Sequence, residues 1–280
     1  MRTSSPAVLV NGSTQDSLPV TDRGLAYGHG LFETIRVAHG VPLLWAEHME
    51  RMREGCERLR IDWPEDMETS LAADAERLCA GSDAMLKLMI TAGSGGLGYR
   101  LPSKQKPLRI VTCYPLPDYP EAYQSQGITL FTCRQRLGMQ PILAGIKHLN
   151  RLEQVLASGE WQNTGAQEGV MLDQRGYVIE GTRTNLVAVD KQQRLLTPDL
   201  RDCGIEGVMR RYLLQQASEL GIATCVGRYT LEEFQEQPEI FVCNSLIGIW
   251  PVIAWDDRHY QQGPITAKLQ QKVKDLFGEA

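Results

Sequence analysis

Tyr114-Pro115-Leu116-Pro117-Asp118-Tyr119-Pro120 decides how this 280-residue chain is organised. Three prolines in six residues remove backbone donors and fix φ, so the stretch reads as a stiff extended linker and not as the interior of a helix or sheet. A domain boundary is placed there, with an N-terminal α/β domain over residues 1–114, a linker at 115–121 and a C-terminal domain over 122–280. Upstream, residues 7–10 read as a strand ended by the Asn11-Gly12 turn, and 31–37 with 41–44 as a hairpin around His39-Gly40. Trp45, Met49, Met52, Cys56 and Leu59 recur at helical spacing, a second helix is expected over 67–79, and strands over 84–91 and 108–113. Downstream, a strand is expected over 129–134 and a helix over 149–161. Residues 169–173, 177–181, 185–190 and 194–197 read as an antiparallel meander. Helical pattern returns at 206–220 and at 231–234, the latter after Thr230 with Glu233 in the capping-box position. Strands and helices mix without regular βαβ alternation, which predicts an α+β architecture in two domains.

Composition narrows the function classes. Hydrophobic residues make up 42% and charged residues 22%, with 26 Gly and 14 Pro, which excludes a disordered or collagen-like chain. The 29 Lys+Arg are outnumbered by 34 Asp+Glu, so the chain has no basic field for nucleic acid or an anionic membrane. Seven cysteines form no CxxC and lie at least eighteen residues apart, which argues against a zinc cluster or a stapled secreted scaffold and for a reducing compartment. The start, Met1-Arg2-Thr3-Ser4-Ser5-Pro6, leads into an apolar run too short for a signal-peptide core or a membrane span, so a cytoplasmic protein is expected.

Four segments carry chemistry. Gly93-Ser94-Gly95-Gly96-Leu97-Gly98 contains G-x-G-x-x-G, but Tyr99-Arg100-Leu101-Pro102 follows where a dinucleotide fingerprint needs a helix. It reads as a mobile glycine-rich loop whose Tyr99 and Arg100 offer a phenol and a cation to an anionic substrate. In Gly145-Ile146-Lys147-His148-Leu149-Asn150-Arg151-Leu152-Glu153, Lys147 is expected at the mouth of a helix. A half-apolar setting with cationic neighbours there would disfavour the ammonium, as a Schiff-base amine requires. Glu180 lies inside a strand pair, where a buried carboxylate needs a cation, and a protonated pyridine nitrogen suits. Cys203-Gly204-Ile205-Glu206-Gly207-Val208-Met209-Arg210 has the form of a glycine-flanked turn opening a helix, an anion site that suits phosphate, with Glu206 facing outward.

With the stretch Asp22 to Thr34, which has the form Asp-Arg-Gly-x-x-Tyr-Gly-x-Gly-x-Phe-Glu-Thr, and with His48-x-x-Arg51, these segments resemble the fold type IV pyridoxal-phosphate enzymes of the branched-chain-aminotransferase type. The resemblance spans nearly the whole chain. It implies a smaller N-terminal α/β sandwich, a larger barrel-like antiparallel C-terminal domain that anchors pyridoxal 5'-phosphate, a homodimer and no metal. Within the family, the Gly-Ser-Gly-Gly-x-Gly-Tyr loop at 93–99 and the run 145–153 are more similar to the 4-amino-4-deoxychorismate lyases, which release 4-aminobenzoate and pyruvate for folate synthesis. Arg151 and Met209 stand near places where transaminases usually carry tyrosine and threonine. By this resemblance Lys147 holds the cofactor as an internal aldimine and moves the proton, and Glu180 keeps the pyridine nitrogen protonated. Arg51 and the amides of Val208 and Met209 clamp the phosphate, with Asn244 and Ser245 adding contacts. Tyr99, Arg100, Arg151, Tyr27 and His29 are the substrate-binding candidates. The alternatives are an amino-acid transaminase of the D-amino-acid or branched-chain type and, in a different class, a non-catalytic metabolite-binding protein.

Overall fold

The computed structural model describes residues 7–279; the reading of residues 1–6 falls outside them. The chain forms two compact units, one running up to Pro117 and taking in Ile146–Asn150, the other formed by Asp118–Gly145 and the chain from Arg151 onward.

The first unit holds β1 (Ala7–Val10), β2 (Ser13–Thr14), α1 (Arg23–Tyr27), β3 (Gly30–Ala38), β4 (Val41–Pro42), α2 (Trp45–Arg58), α3 (Met67–Cys79), β5 (Ala84–Thr91) and β6 (Leu108–Tyr114). Its strands make one antiparallel sheet in the order β2-β1-β6-β5-β3-β4. The expected hairpin is β3–β4, with Val37 opposite Pro42. β3 alternates as a half-covered strand must: Leu31, Glu33, Ile35 and Val37 are buried, while Phe32, Thr34 and Arg36 are less so. The helices cover the Leu31 side. A Cβ at Gly55 of α2 would come within 2.6 Å of Leu31, so this glycine sets how closely helix and sheet approach.

The second unit holds α4 (Ala122–Ser125), β7 (Ile128–Leu137), α5 (Leu152–Trp161), β8 (Glu168–Asp173), β9 (Val178–Gly181), β10 (Asn185–Val189), β11 (Leu195–Pro198), α6 (Val208–Glu219), β12 (Thr224–Gly227), α7 (Leu231–Gln235), β13 (Glu239–Asn244), β14 (Gly248–Trp255), β15 (Arg258–His259) and α8 (Pro264–Phe277). The sheet runs β12-β11-β10-β13-β14-β7-β8-β9, and β9 returns to pack beside β10 and β11, curling it into a half-barrel around Ile128, Leu186, Val242, Trp250 and Trp255. The expected antiparallel meander is corrected here. β8–β9 and β10–β11 are antiparallel hairpins, but β9 and β10 lie at different places in the path, and β7–β8, β7–β14 and β11–β12 pair in parallel. The reason is the connections: α5 between β7 and β8, and α6 between β11 and β12, are crossover helices long enough to bring the chain back in the same direction. The capping box at Thr230 and Glu233 is present. Among the described residues, no helix is long and apolar enough to cross a membrane.

Leu86, fully buried on β5 between Ile35 and Cys113, tests the first core. Leu86→Ala is expected to lower unfolding stability by about 2–5 kcal/mol in urea titration with an unchanged slope, since the site leaves a cavity and exposes no new surface.

Candidate cofactor and substrate site

In the first unit, the decisive group is a buried ion cluster. Glu33 points from β3 toward α2, where His48 and Arg51 lie three residues apart on one helix face. Arg51 Nε donates to Glu33 Oε1 at 2.8 Å, its Nη2 donates to Oε2, and His48 Nδ1 lies 2.7 Å from Oε2. Burial pushes the Glu33 carboxyl up, yet Arg51 and His48 outweigh it and hold the pKa at about 2. Glu33 is therefore ionised, so Nδ1 carries the His48 proton. Burial pushes the His48 ring below its ordinary value despite the carboxylate beside it. Arg51, proposed from sequence as a phosphate ligand, is thus a buried, oriented guanidinium. Glu33 and His48 were not among the sequence candidates. The available signal was a carboxylate in phase with Leu31, Ile35 and Val37 on the buried side of a strand, a position that requires a cation.

Lys147 belongs to the same unit, and its setting corrects one expectation. It does not stand at a helix mouth, because α5 begins only at Leu152. Instead Phe32 N donates to Lys147 O at 2.9 Å, Leu149 N donates to Gly30 O at 2.9 Å, and His148 bridges Leu31. The free edge of β3 has taken up the backbone groups that a helix start would have used. This holds the half-buried Lys147 side chain so that Nζ sits 4.5 Å from the centre of the Phe32 ring.

In the second unit, Glu180 on β9 and Asn185 on β10 grip one peptide. Glu180 Oε2 accepts the Ile205 N–H at 2.7 Å, and Asn185 Nδ2 donates to the Ile205 carbonyl at 2.9 Å. The glycine turn before α6 is thereby pinned to the strands. Gly204 takes φ +88°, where a Cβ would lie 2.7 Å from Ile179, and a Cβ at Gly207 would lie 2.0 Å from Asn185. Val208 and Met209 open α6 at a start with no side-chain cap, which leaves first-turn amides for an anion. Glu206 precedes the helix and is exposed, as expected. Glu180 Oε1 also accepts from Gln154 Nε2 at 3.3 Å, and Gln154 Oε1 is buried without a hydrogen-bond partner.

Arg151, at the start of α5, belongs to the same electrostatic neighbourhood: burial pushes its guanidinium pKa down, against the pull of Glu180 and Glu153. The turn between Glu180 and Asn185 is set by a second buried carboxylate, Glu168, which accepts from the Thr182 N–H and hydroxyl, the Thr184 hydroxyl and the Gly169 N–H. Burial raises the Glu168 pKa, since Arg183 stands 3.6 Å away and the other partners are neutral.

The remaining candidates separate. Asn244 Oδ1 accepts the Leu246 and Ile247 amides and its Nδ2 donates to the Arg183 carbonyl, so its side chain shapes the β13–β14 turn; Ser245 stands half-buried in that turn. In His29, Nε2 lies 2.8 Å from the Leu59 carbonyl, which can only accept, and Nδ1 accepts from Arg23 Nε at 3.3 Å. Both ring nitrogens are committed. Tyr27 and Tyr99 contact each other with ring centres 5.3 Å apart, and Tyr99 and Arg100 are exposed on the glycine loop.

The residues present in each unit suit pyridoxal phosphate by their chemistry: the first unit carries an amine and a buried guanidinium. The second, by itself, carries an oriented buried carboxylate, a neighbouring unpartnered acceptor and an uncapped helix start. Residues 30–255 match the amino-transferase class IV family. The chain belongs to that family. An aminodeoxychorismate lyase of Vibrio harveyi is 37% identical over 243 residues, covering 87% of this chain and 89% of the relative. The crystal structure of 4-amino-4-deoxychorismate lyase from Pseudomonas aeruginosa is 45% identical with a TM-score of 0.91, covering 96% of this chain and 98% of that one. A putative branched-chain-amino-acid aminotransferase of Methanocaldococcus jannaschii is 32% identical over 279 residues, covering 96% of each. The class IV match thus takes in β3, the lysine segment, the Glu180 hairpin and the α6 turn in one chain order.

The Glu33 cluster carries a pH signature. Its folded pKa of about 2 lies below the ordinary glutamate value of 4.5, so the stabilisation is fully present above pH 4.5 and is lost as pH falls toward 2. Across that window unfolding free energy is expected to fall by up to about 1.4 kcal/mol per pH unit from this group. In Glu33→Gln this component of the slope should vanish, measured by urea unfolding at a series of pH values.

Proposed function

We propose that this class IV enzyme is a pyridoxal-phosphate-dependent carbon–oxygen lyase that converts 4-amino-4-deoxychorismate to 4-aminobenzoate and pyruvate. The observation that carries the choice is the 45% identity, over nearly the whole of both chains, to the Pseudomonas aeruginosa lyase, against 32% to the putative aminotransferase. Arg151 and Met209, which stand near positions where the transaminases usually carry tyrosine and threonine, favour the same choice.

When bound, pyridoxal phosphate supplies an electron sink for the carbon that bears the substrate amine. Lys147 would hold the cofactor through its aldehyde, and its amine, when free, would take the proton from the substrate carbon that bears the nitrogen. Its support by Phe32 and the β3 edge limits where the amine reaches. Glu180 would hold a proton at the cofactor's ring nitrogen, and the Ile205 amide keeps that carboxylate oriented. Arg51, ordered by Glu33, and the first amides of α6 at Val208 and Met209 bind the phosphate. The electron pair left by removal of the carbon-bound proton would expel the enolpyruvyl oxygen from the neighbouring carbon; the enolpyruvate leaves, takes up a proton and becomes pyruvate, and the ring left behind is aromatic, which makes the reaction downhill. Arg100, Tyr99 and Arg151 are proposed contacts for the substrate carboxylates, with Tyr27 beside Tyr99.

The enzyme is further proposed to act as a homodimer in the cytoplasm. Leu152, Val155 and Leu156 form an exposed apolar stripe on α5 of a kind that a second subunit covers, and all seven cysteines are free thiols.

Purified protein incubated with the cofactor is expected to form 4-aminobenzoate and pyruvate in equal amounts from 4-amino-4-deoxychorismate. Rapid glutamate formation from 2-oxoglutarate and an amino donor, without lyase turnover, would instead establish the transaminase. Lys147→Ala should stay folded, lose borohydride-reducible attachment of the cofactor and lose activity by roughly 10²–10⁴-fold or more.

A further inference from the structure

We propose that Arg23 is a positioning residue for substrate binding, holding the 93–100 loop in the shape that presents Tyr99 and Arg100. The inference rests on the reading of that loop as the substrate-carboxylate contact.

The loop's path needs glycine: Gly93, Gly95, Gly96 and Gly98 all take positive φ, and residues 95–100 are exposed. Its first part is tied by Thr21 and Thr91, and its turn is held from beneath by a guanidinium that is only 4% exposed. Arg23 Nη1 donates to the carbonyls of Gly95 at 3.2 Å and Gly98 at 3.0 Å, and Nη2 donates to the Tyr99 carbonyl at 3.3 Å. Its backbone N–H donates to the Gly93 carbonyl at 2.9 Å, so the loop is tied at its entry as well as its end.

The guanidinium is itself fixed from behind. Nε donates to His29, whose other nitrogen is held by Leu59, and the Tyr27 ring lies 5.0 Å from Cζ and contacts Tyr99. Asp22, the neighbour in sequence, does not neutralise it by these contacts; its carboxylate caps α1 and accepts from Thr91. Arg23 is therefore a buried cation solvated by loop carbonyls. Each of those carbonyls is turned inward, which leaves the Tyr99 and Arg100 side chains outside. The Asp-Arg-Gly element at 22–24 thus has a task separate from cofactor binding. A lysine cannot reproduce it, because an ammonium lacks the planar fork that reaches three carbonyls at once.

The test compares wild type, Arg23→Lys, Arg23→Gln and Gly96→Ala as cofactor-loaded enzymes. The last variant disturbs the same contact from the exposed loop, since a Cβ there would lie 3.2 Å from Arg23 Nη1 and 2.1 Å from the Arg100 carbonyl, and it serves even where an Arg23 variant fails to fold. All three should raise KM for 4-amino-4-deoxychorismate by tenfold or more while kcat and cofactor absorbance stay within about twofold, and amide exchange over residues 93–100 should accelerate. Faster loop exchange with unchanged KM overturns the proposal, as does a loss confined to kcat. A wild type that makes no 4-aminobenzoate overturns the lyase reading instead, and the exchange measurement still decides whether Arg23 holds the loop.

Discussion

A carboxylate removed from water must recruit donors, and three such carboxylates set most of this protein's functional geometry. Glu33 recruits Arg51 and His48, Glu180 recruits the Ile205 amide and Gln154, and Glu168 recruits Thr182, Thr184 and Gly169. The quality of the partner decides the outcome of equal burial. A forked guanidinium with a histidine lowers Glu33 to about 2, whereas a more distant Arg183 and neutral donors leave Glu168 raised. The first arrangement delivers an oriented cation, and the second shapes a strand turn. Both are structural means to a chemical end.

The second unit shows how backbone and side chain share that task. The Glu180 and Asn185 side chains seize opposite ends of the Ile205 peptide, so the turn cannot drift from the hairpin that carries them. Gly204 and Gly207 exist because the strands approach too closely for a Cβ. The uncapped start of α6 follows from the same closeness: the cap position is Gly207, which has no side chain to accept from the first-turn amides.

Much of the fold was legible in sequence because it is local. The spacing of Met49, Met52 and Cys56 defines α2, the apolar run 84–91 is β5, and Thr230 with Glu233 caps α7. Lys147, Glu180, Arg51 and the 203–210 turn stood out because their residue types are rare in such patterns or match an ordered family motif. The parallel pairings of the second sheet did not stand out. Strand periodicity reports which face is buried and says nothing about the neighbour's direction, which depends on where α5 and α6 return the chain.

The chain's own residues determined the family and singled out the candidate amine, carboxylate and glycine turn, since each is a matter of residue type and short spacing. Only tertiary structure decided which partners those groups have. Lys147 lies along β3 and not at a helix start because a free strand edge competes for its backbone, and Arg51 is oriented by a carboxylate eighteen residues away. The side chains of His29 and Asn244 hydrogen-bond to backbone carbonyls thirty and sixty-one residues away, and sequence spacing does not record such contacts.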